Sequence, residues 1–165
     1  MTDQTIAADQ PAAVEQDMTH EAAIEQLRAR QNLPMGILAG FVAALLGAAI
    51  WTAFSYFTGY ELGLVVILIG AVIGYAIRNV GHGVDPVFGI VGAGCAAISW
   101  ALGTIFSDVA FLAQAAGRPF LEVLSELGFA ESASFAFSNI ETMDFVFLAI
   151  ALWEGWRFSH LRLRS

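Results

Sequence analysis

The feature that most constrains the fold is a run of residues without a charge, from Pro34 to Phe57. Its 24 residues exceed the ~20 that a helix needs to cross the bilayer core. Three more apolar runs follow, so we expect spans at about 34–57, 62–78, 86–107 and 139–161. The sequence therefore predicts an all-α fold, namely a four-helix transmembrane bundle with a short amphipathic outer helix.

The composition supports the membrane class. Hydrophobic residues make up 58% of the chain and charged residues only 13%, whereas soluble domains have about 45–50% apolar and about 25% charged residues. The one cysteine, Cys95, cannot form an internal disulfide. No His/Cys cluster has zinc-ligand spacing, and the net charge of −8 argues against nucleic acid. We expect the lipid bilayer as partner, no nucleic acid, no cofactor and no metal site.

Local signals divide the chain into segments. We predict a disordered acidic tail at 1–18, a juxtamembrane helix at 19–32 and the bundle at 33–162. Asn32 before Pro34, and Asp85 before Pro86, both have the pattern of a helix start with proline in the first turn.

The segment between the third and fourth spans contains two further signals. Residues 119–127 have an amphipathic pattern and are too few to span, and Gly128 is suited to end their helix. A capping box with Ser138 at the N-cap and Glu141 at N3 predicts that the fourth helix starts near Asn139.

The arginines predict the orientation, because cytoplasmic loops of membrane proteins are enriched in basic residues. Four spans with both termini cytoplasmic leave only Arg118 outside, and the other arginines inside: Arg28, Arg30, Arg78, Arg157, Arg162 and Arg164. The outer side is acidic, with Asp108, Glu122, Glu126, Glu131, Glu141 and Asp144. This acidity either solvates the loop or attracts a cation or basic partner.

Spaced glycines predict close helix packing, since small residues let backbones approach each other in lipid. They pack helices within one bundle or form a homodimer seam; the candidates are Gly36, Gly40, Gly70, Gly74, Gly89 and Gly92. The first and third spans also resemble each other, as do the ends of the second and fourth. This indicates two tandem helical hairpins, related by an axis along the membrane normal.

Polar residues near the spans provide the candidates for chemistry. Glu154 is either a boundary carboxylate paired with Arg157 or Arg78, or an enclosed proton carrier. Arg78, His82 and Asp85 flank two glycines, which fits a plain turn, an acid–base pair or a phosphate site. We identify no catalytic residue.

The run GAVIGYAIRNVGHG followed by VFGIVGAGCAAI resembles an uncharacterised group of small bacterial four-span inner-membrane proteins. The shared features are a glycine-spaced second span, a basic residue at its end, a glycine-rich turn, and a closing span that ends in an aromatic residue and arginine. The resemblance covers about 60–100 and 143–158. It implies the bacterial inner membrane and no catalytic residue. Members often carry a cysteine-rich N-terminal module, which this chain lacks.

These observations favour a non-enzymatic membrane subunit or scaffold that acts through helix packing, as a homo-oligomer or within a larger membrane complex. The alternative is an oligomeric transporter or channel for small solutes or ions. An intramembrane enzyme ranks third. The spans offer almost no polar side chains beyond Thr52, Ser55, Ser99 and Thr104, which favours a dry, packed bundle over a transport pathway.

Overall fold

A computed structural model describes residues 21–60 and 63–161. The predicted tail at 1–18 lies outside the described residues, as do Arg162 and Arg164. Within the described ranges every regular element is an α-helix, as predicted. A first helix, α1, covers residues 21–29 and belongs to a unit that ends at Gln31.

The second unit starts at Asn32 and contains five helices. They are α2 (Leu33–Thr58), α3 (Gly63–Gly81), α4 (Pro86–Ala116), α5 (Phe120–Ser138) and α6 (Thr142–Phe158). Three helical stretches are long and apolar enough to cross a membrane: α2, residues Leu64–Gly81 of α3, and α4. Helices α5 and α6 meet that condition only as a pair, and the pair is bent by 107°. The described residues thus provide three to four candidate spans.

Both predicted proline starts are present. The Asn32 side chain accepts a hydrogen bond from the Met35 N–H at 3.1 Å, and Asp85 is the N-cap residue of α4. Helix α2 ends at Gly59, whose φ of +70° is a left-handed conformation that suits glycine. The Gly59 N–H donates to the Ser55 carbonyl at 2.9 Å, which satisfies one of the last carbonyls of the helix.

Helix α4 is longer than predicted. It continues past the predicted span boundary at 107 to Ala116 and is capped by Gly117 with φ +63°. Ser107 and Asp108 mark a change in polarity, and polarity limits a membrane span without stopping a helix. The added turns bury Val109 and Ala113 in a cluster with Val123 of α5. Tertiary packing therefore accounts for the extension.

The predicted start of the last helix is also wrong. The Ser138 hydroxyl donates back to the Phe135 carbonyl at 2.7 Å, so it ends α5 instead of capping α6. Helix α6 begins at Thr142, with Glu141 as N-cap and Asp144 at N3. The Glu141 N–H donates to Asp144 Oδ2 at 2.8 Å. A capping pair thus exists three residues later than expected, and α6 ends at Phe158 rather than at 161.

The outer amphipathic segment contains two helical pieces. Gly128 interrupts α5 with φ +70° and ψ 165°, as expected for a glycine that ends a helix. A second piece then runs to Ser138. That piece was not predicted from the sequence.

Contacts along the helices fix their directions. Helices α2 and α4 are parallel, since Gly36 lies against Phe88 and the Ser55 hydroxyl contacts that of Ser107. Helices α2 and α3 are antiparallel, because Gly36 approaches Gly81 while Gly40 approaches Ile77. By the same reasoning, α6 is parallel to α3 and antiparallel to α4.

A ring is formed by α2, α3, α6 and α4, in that order. Helices α3 and α4 also touch across it, but no Cα of α2 lies within 8 Å of α6. A twofold axis along the helices would map the α3–α4 contact onto an α6–α2 contact. The α2–α3 hairpin therefore lies side by side with the α4–α6 hairpin. This differs from the predicted repeat, in which an axis along the membrane normal relates the two hairpins.

The bundle has two distinct ends. At the first, which we call the turn end, the Asn32 N–H donates to the Gly81 carbonyl at 2.8 Å and the Leu161 N–H donates to the Gly83 carbonyl at 3.0 Å. The α2 start, the α3–α4 turn and the α6 end meet there. The opposite end, which we call the α5 end, carries the Ser55–Ser107 contact, the last turns of α4 and the start of α5.

Candidate functional sites

The first candidate site is the seam of α6 with α3 and α4, which we call the helix seam. A methyl group at Gly70 would lie 2.6 Å from the Ala151 carbonyl oxygen, and one at Gly74 would lie 2.9 Å from that of Gly155. Real Cβ atoms essentially never come under 3.0 Å. The backbones of α3 and α6 are thus in contact, and any side chain at Gly70 or Gly74 would separate them.

The α4 side of the helix seam is equally close. A methyl group at Gly155 would lie 2.7 Å from the Gly92 carbonyl oxygen, and Gly89 faces the Trp156 ring. Gly155 was not predicted as a packing residue. Ala151, Gly155 and Ser159 are spaced by four, so the sequence does contain this signal.

The remaining predicted glycines, Gly36 and Gly40, lie on α2 and face α3 and α4. A methyl group at Gly36 would meet the Phe88 ring at 2.9 Å, and one at Gly40 would meet the Ile77 side chain at 2.6 Å. All six predicted packing glycines are buried. They face helices of the same chain, so a homodimer seam would have to use another surface.

The bundle interior contains hydroxyl groups and no charged side chain among the described residues. The buried polar residues are Ser55, Ser99, Thr104, Ser107, Ser132 and Ser159. Ser107 donates to the Ser55 hydroxyl at 3.1 Å, and Thr104 donates to the Trp100 carbonyl at 3.0 Å. Within 21–60 and 63–161 no group of three His, Cys, Asp or Glu residues could hold a metal ion.

The α3–α4 turn places Arg78, His82 and Asp85 at the turn end. The Arg78 guanidinium lies 5.4 Å from the centroid of the Tyr75 ring, within cation–π distance. His82 is exposed with φ +50°, a conformation that few non-glycine residues adopt. Asp85 is used as the N-cap residue of α4. These positions favour a structural turn over an acid–base or phosphate site.

Glu154 is half-buried on α6. The structure brings it to neither expected partner: in the described chain no ion pair within 4.0 Å joins it to Arg157 or Arg78. The exposed Arg157 guanidinium instead lies 5.6 Å from the Phe158 ring centroid. Both arginines thus contact aromatic rings of their own helices.

A charged cluster, which we call the acidic triad, lies at the α5 end. The Arg118 guanidinium contacts Glu122 at 2.7 Å and Glu126 at 2.5 Å. These hydrogen bonds, first that to Glu126, raise the pKa of Arg118 above its ordinary value. The same contact lowers the pKa of Glu126. The triad carries one positive and two negative charges, so its net charge is negative.

An apolar groove of about 370 Å³ lies at the same end. It is lined by α2, α4 and the start of α5, through Ala49, Thr52, Ala53, Tyr56, Phe57, Phe106 and Phe120. The rings of Phe106 and Phe120 form an edge-to-face pair with centroids 6.4 Å apart. A second cavity, lined in part by Tyr56 and Arg118, adjoins it. Sequence reasoning missed the groove because its residues come from three separate segments.

Comparison with known proteins gives no relative: no protein-family model, no curated protein and no solved structure matches the chain. The resemblance to small four-span bacterial proteins therefore stays a prediction.

Proposed function

We propose that the protein is a multi-pass protein of the bacterial inner membrane that acts without catalysis, as a packing subunit or scaffold. The observation that carries this proposal is the helix seam, where backbone atoms of α6 meet those of α3 and α4. In lipid, burial of apolar surface does not drive helices together, and close backbone packing does. Such a bundle offers rigid helix faces to a partner rather than a reactive cavity.

The proposed orientation has the turn end in the cytoplasm. Arg78 lies in the last turn of α3 and Arg157 in the last turn of α6, both toward the turn end. Arg118 follows α4 at the α5 end, together with the carboxylates of the acidic triad. This distribution agrees with the basic bias of cytoplasmic loops. Both termini are then cytoplasmic.

We infer that α6 is the fourth span and that α5 is not part of it. The 17 residues of α6 give about 25 Å of helix. Arg157 in its last turn can extend its head group to the interface. The 107° bend prevents α5 from continuing α6 across the same bilayer. Helix α5 accordingly runs along the outer surface, where its exposed Leu121 and Phe129 meet lipid.

The partner surface that we propose is the lipid-facing circumference of the ring. Large apolar side chains on α2 and α3 are exposed, including Leu46, Ile50, Leu64 and Leu68. Lipid covers them in a monomer, and a second membrane helix covers part of them in a complex. We expect either a homo-oligomer or a larger assembly.

Purification in a mild neutral detergent tests this function. The mass of the protein–detergent particle, together with identification of co-purifying chains by mass spectrometry, should reveal an oligomer or a defined complex. A solitary monomer would contradict the scaffold proposal.

The second candidate function is solute or ion transport by an oligomer, which the half-buried Glu154 favours. Flux assays in proteoliposomes separate the two functions. If the protein is a transporter, Glu154→Gln should abolish the flux. Glu131→Gln changes an exposed carboxylate of α5 and should leave the flux intact. The scaffold function predicts no flux above that of empty liposomes.

A further inference from the structure

The apolar groove has the size and lining of a small-molecule site. Its volume of about 370 Å³ falls in the range of about 300–1,000 Å³ typical of ligand clefts. One wall is a single face of α2, with residues spaced by three and four from Ala49 to Phe57. Phe106 and Phe120 form the other wall. The Thr52 hydroxyl donates to the Ala48 carbonyl at 2.9 Å, so it adds little polarity.

The groove lies beside the acidic triad, whose net charge is negative. Tyr56 lines both the groove and the second cavity, and Arg118 of the acidic triad lines that cavity. Arg118 already donates four hydrogen bonds to Glu122 and Glu126, so it has little capacity left for an anion. Both carboxylates are more than half exposed, at 52% and 59%. They can still accept contacts from a cation.

We propose that the groove binds a lipophilic organic cation, with its apolar body against the aromatic walls and its charge toward the acidic triad. Aromatic faces attract cations, and the groove offers Tyr56, Phe57, Phe106 and Phe120. The carboxylates on α5 and the start of α6 raise the local cation concentration further. The same negative charge would repel an anionic amphiphile. This site is independent of the packing function.

A pair of near-isosteric ions of opposite charge tests the proposal. The purified full chain in neutral detergent is dialysed against tetraphenylphosphonium or tetraphenylborate. Bound ion is then measured above a protein-free micelle control. We expect one phosphonium per chain and binding of the borate at least about tenfold weaker, which corresponds to about 1.4 kcal/mol.

Two matched variant pairs locate the binding. Ala53→Phe fills the groove from an exposed position and should weaken phosphonium binding about tenfold or more, whereas Ala149→Phe on exposed α6 surface should not. Glu126→Gln neutralises the acidic triad and should weaken binding severalfold, whereas Glu131→Gln should have a smaller effect. Equal affinity for the two ions, or unchanged phosphonium binding in Ala53→Phe, would overturn the proposal. A retained phospholipid that the phosphonium does not displace would also overturn it and assign the groove to lipid.

Discussion

Single glycines determine how closely α6 approaches its neighbours. A Cβ added at Gly155 would lie 2.7 Å from the Gly92 carbonyl oxygen, whereas one added at Gly94, two residues further along α4, has nothing within 4 Å. The two positions share residue type and helical conformation and differ in their surroundings. They therefore separate the contribution of packing from that of helix propensity.

We predict opposite signs for the same substitution at these two sites. Gly155→Ala forces a methyl group onto the α4 backbone, and such overpacking costs about 1–3 kcal/mol. Gly94→Ala meets open space and should stabilise the helix by about 0.5–1 kcal/mol. Thermal unfolding in detergent measures both. Stabilisation by Gly155→Ala would show that the seam is looser than described.

The acidic triad gives a prediction about pH. Arg118 lowers the pKa of Glu126 below its ordinary value of 4.5. A carboxylate with a lowered folded-state pKa contributes stability above the unfolded pKa, and this contribution is lost as the pH falls through the folded-state value. Arg118→Gln should raise the pKa of Glu126 toward 4.5, as measured by carboxyl ¹³C NMR titration. Arg157→Gln should leave this titration unchanged, and an equal shift in both variants would rule out the specific contact.

At the scale of helices, the two starts marked by proline were predicted, whereas the end of α4 and the start of α6 were not. Asn32–Pro34 and Asp85–Pro86 act locally, and the structure has both helix starts. The end of α4 depended on Val109 and Ala113 packing against α5, which no local pattern encodes. The Ser138–Glu141 motif was ambiguous, since a serine hydroxyl can also bond backward to its own helix. The groove arises from segments distant in sequence, so it could not be predicted from local patterns. The acidic triad, in contrast, lies within nine residues and has the local i,i+4 spacing of a helical ion pair.

The start of α6 gives a prediction at this scale. Asp144→Ala removes the acceptor of the Glu141 N–H, and loss of a helix-terminal bond costs about 1 kcal/mol. Asp144→Asn removes the same charge but keeps an acceptor, so it should be the more stable of the two variants. Ser138→Ala should cost less than Asp144→Ala, because Ser138 does not cap α6. Chemical denaturation of the three variants provides the measurement. If Ser138→Ala were the most damaging change, α6 would start where the sequence alone predicted.

For the molecule as a whole, composition and the apolar runs were sufficient to predict an all-α chain with several candidate spans. They could not predict the ring order, because it depends on which glycine meets which backbone. The ring places the α2 start, the α3–α4 turn and the α6 end together, and α5 at the other end. A membrane orientation with these two ends on opposite sides is the central claim of the proposed function.

Sided cysteine labelling tests this claim most directly. Single cysteines at His82, Leu161 and Glu126, which are exposed, are introduced into a Cys95→Ala background. A membrane-impermeant maleimide is then applied to intact spheroplasts and to inverted vesicles. We predict that position 126 reacts in spheroplasts, and that positions 82 and 161 react only in inverted vesicles. Reaction of positions 82 and 126 from the same side, or of 82 and 161 from opposite sides, would contradict the four-span arrangement.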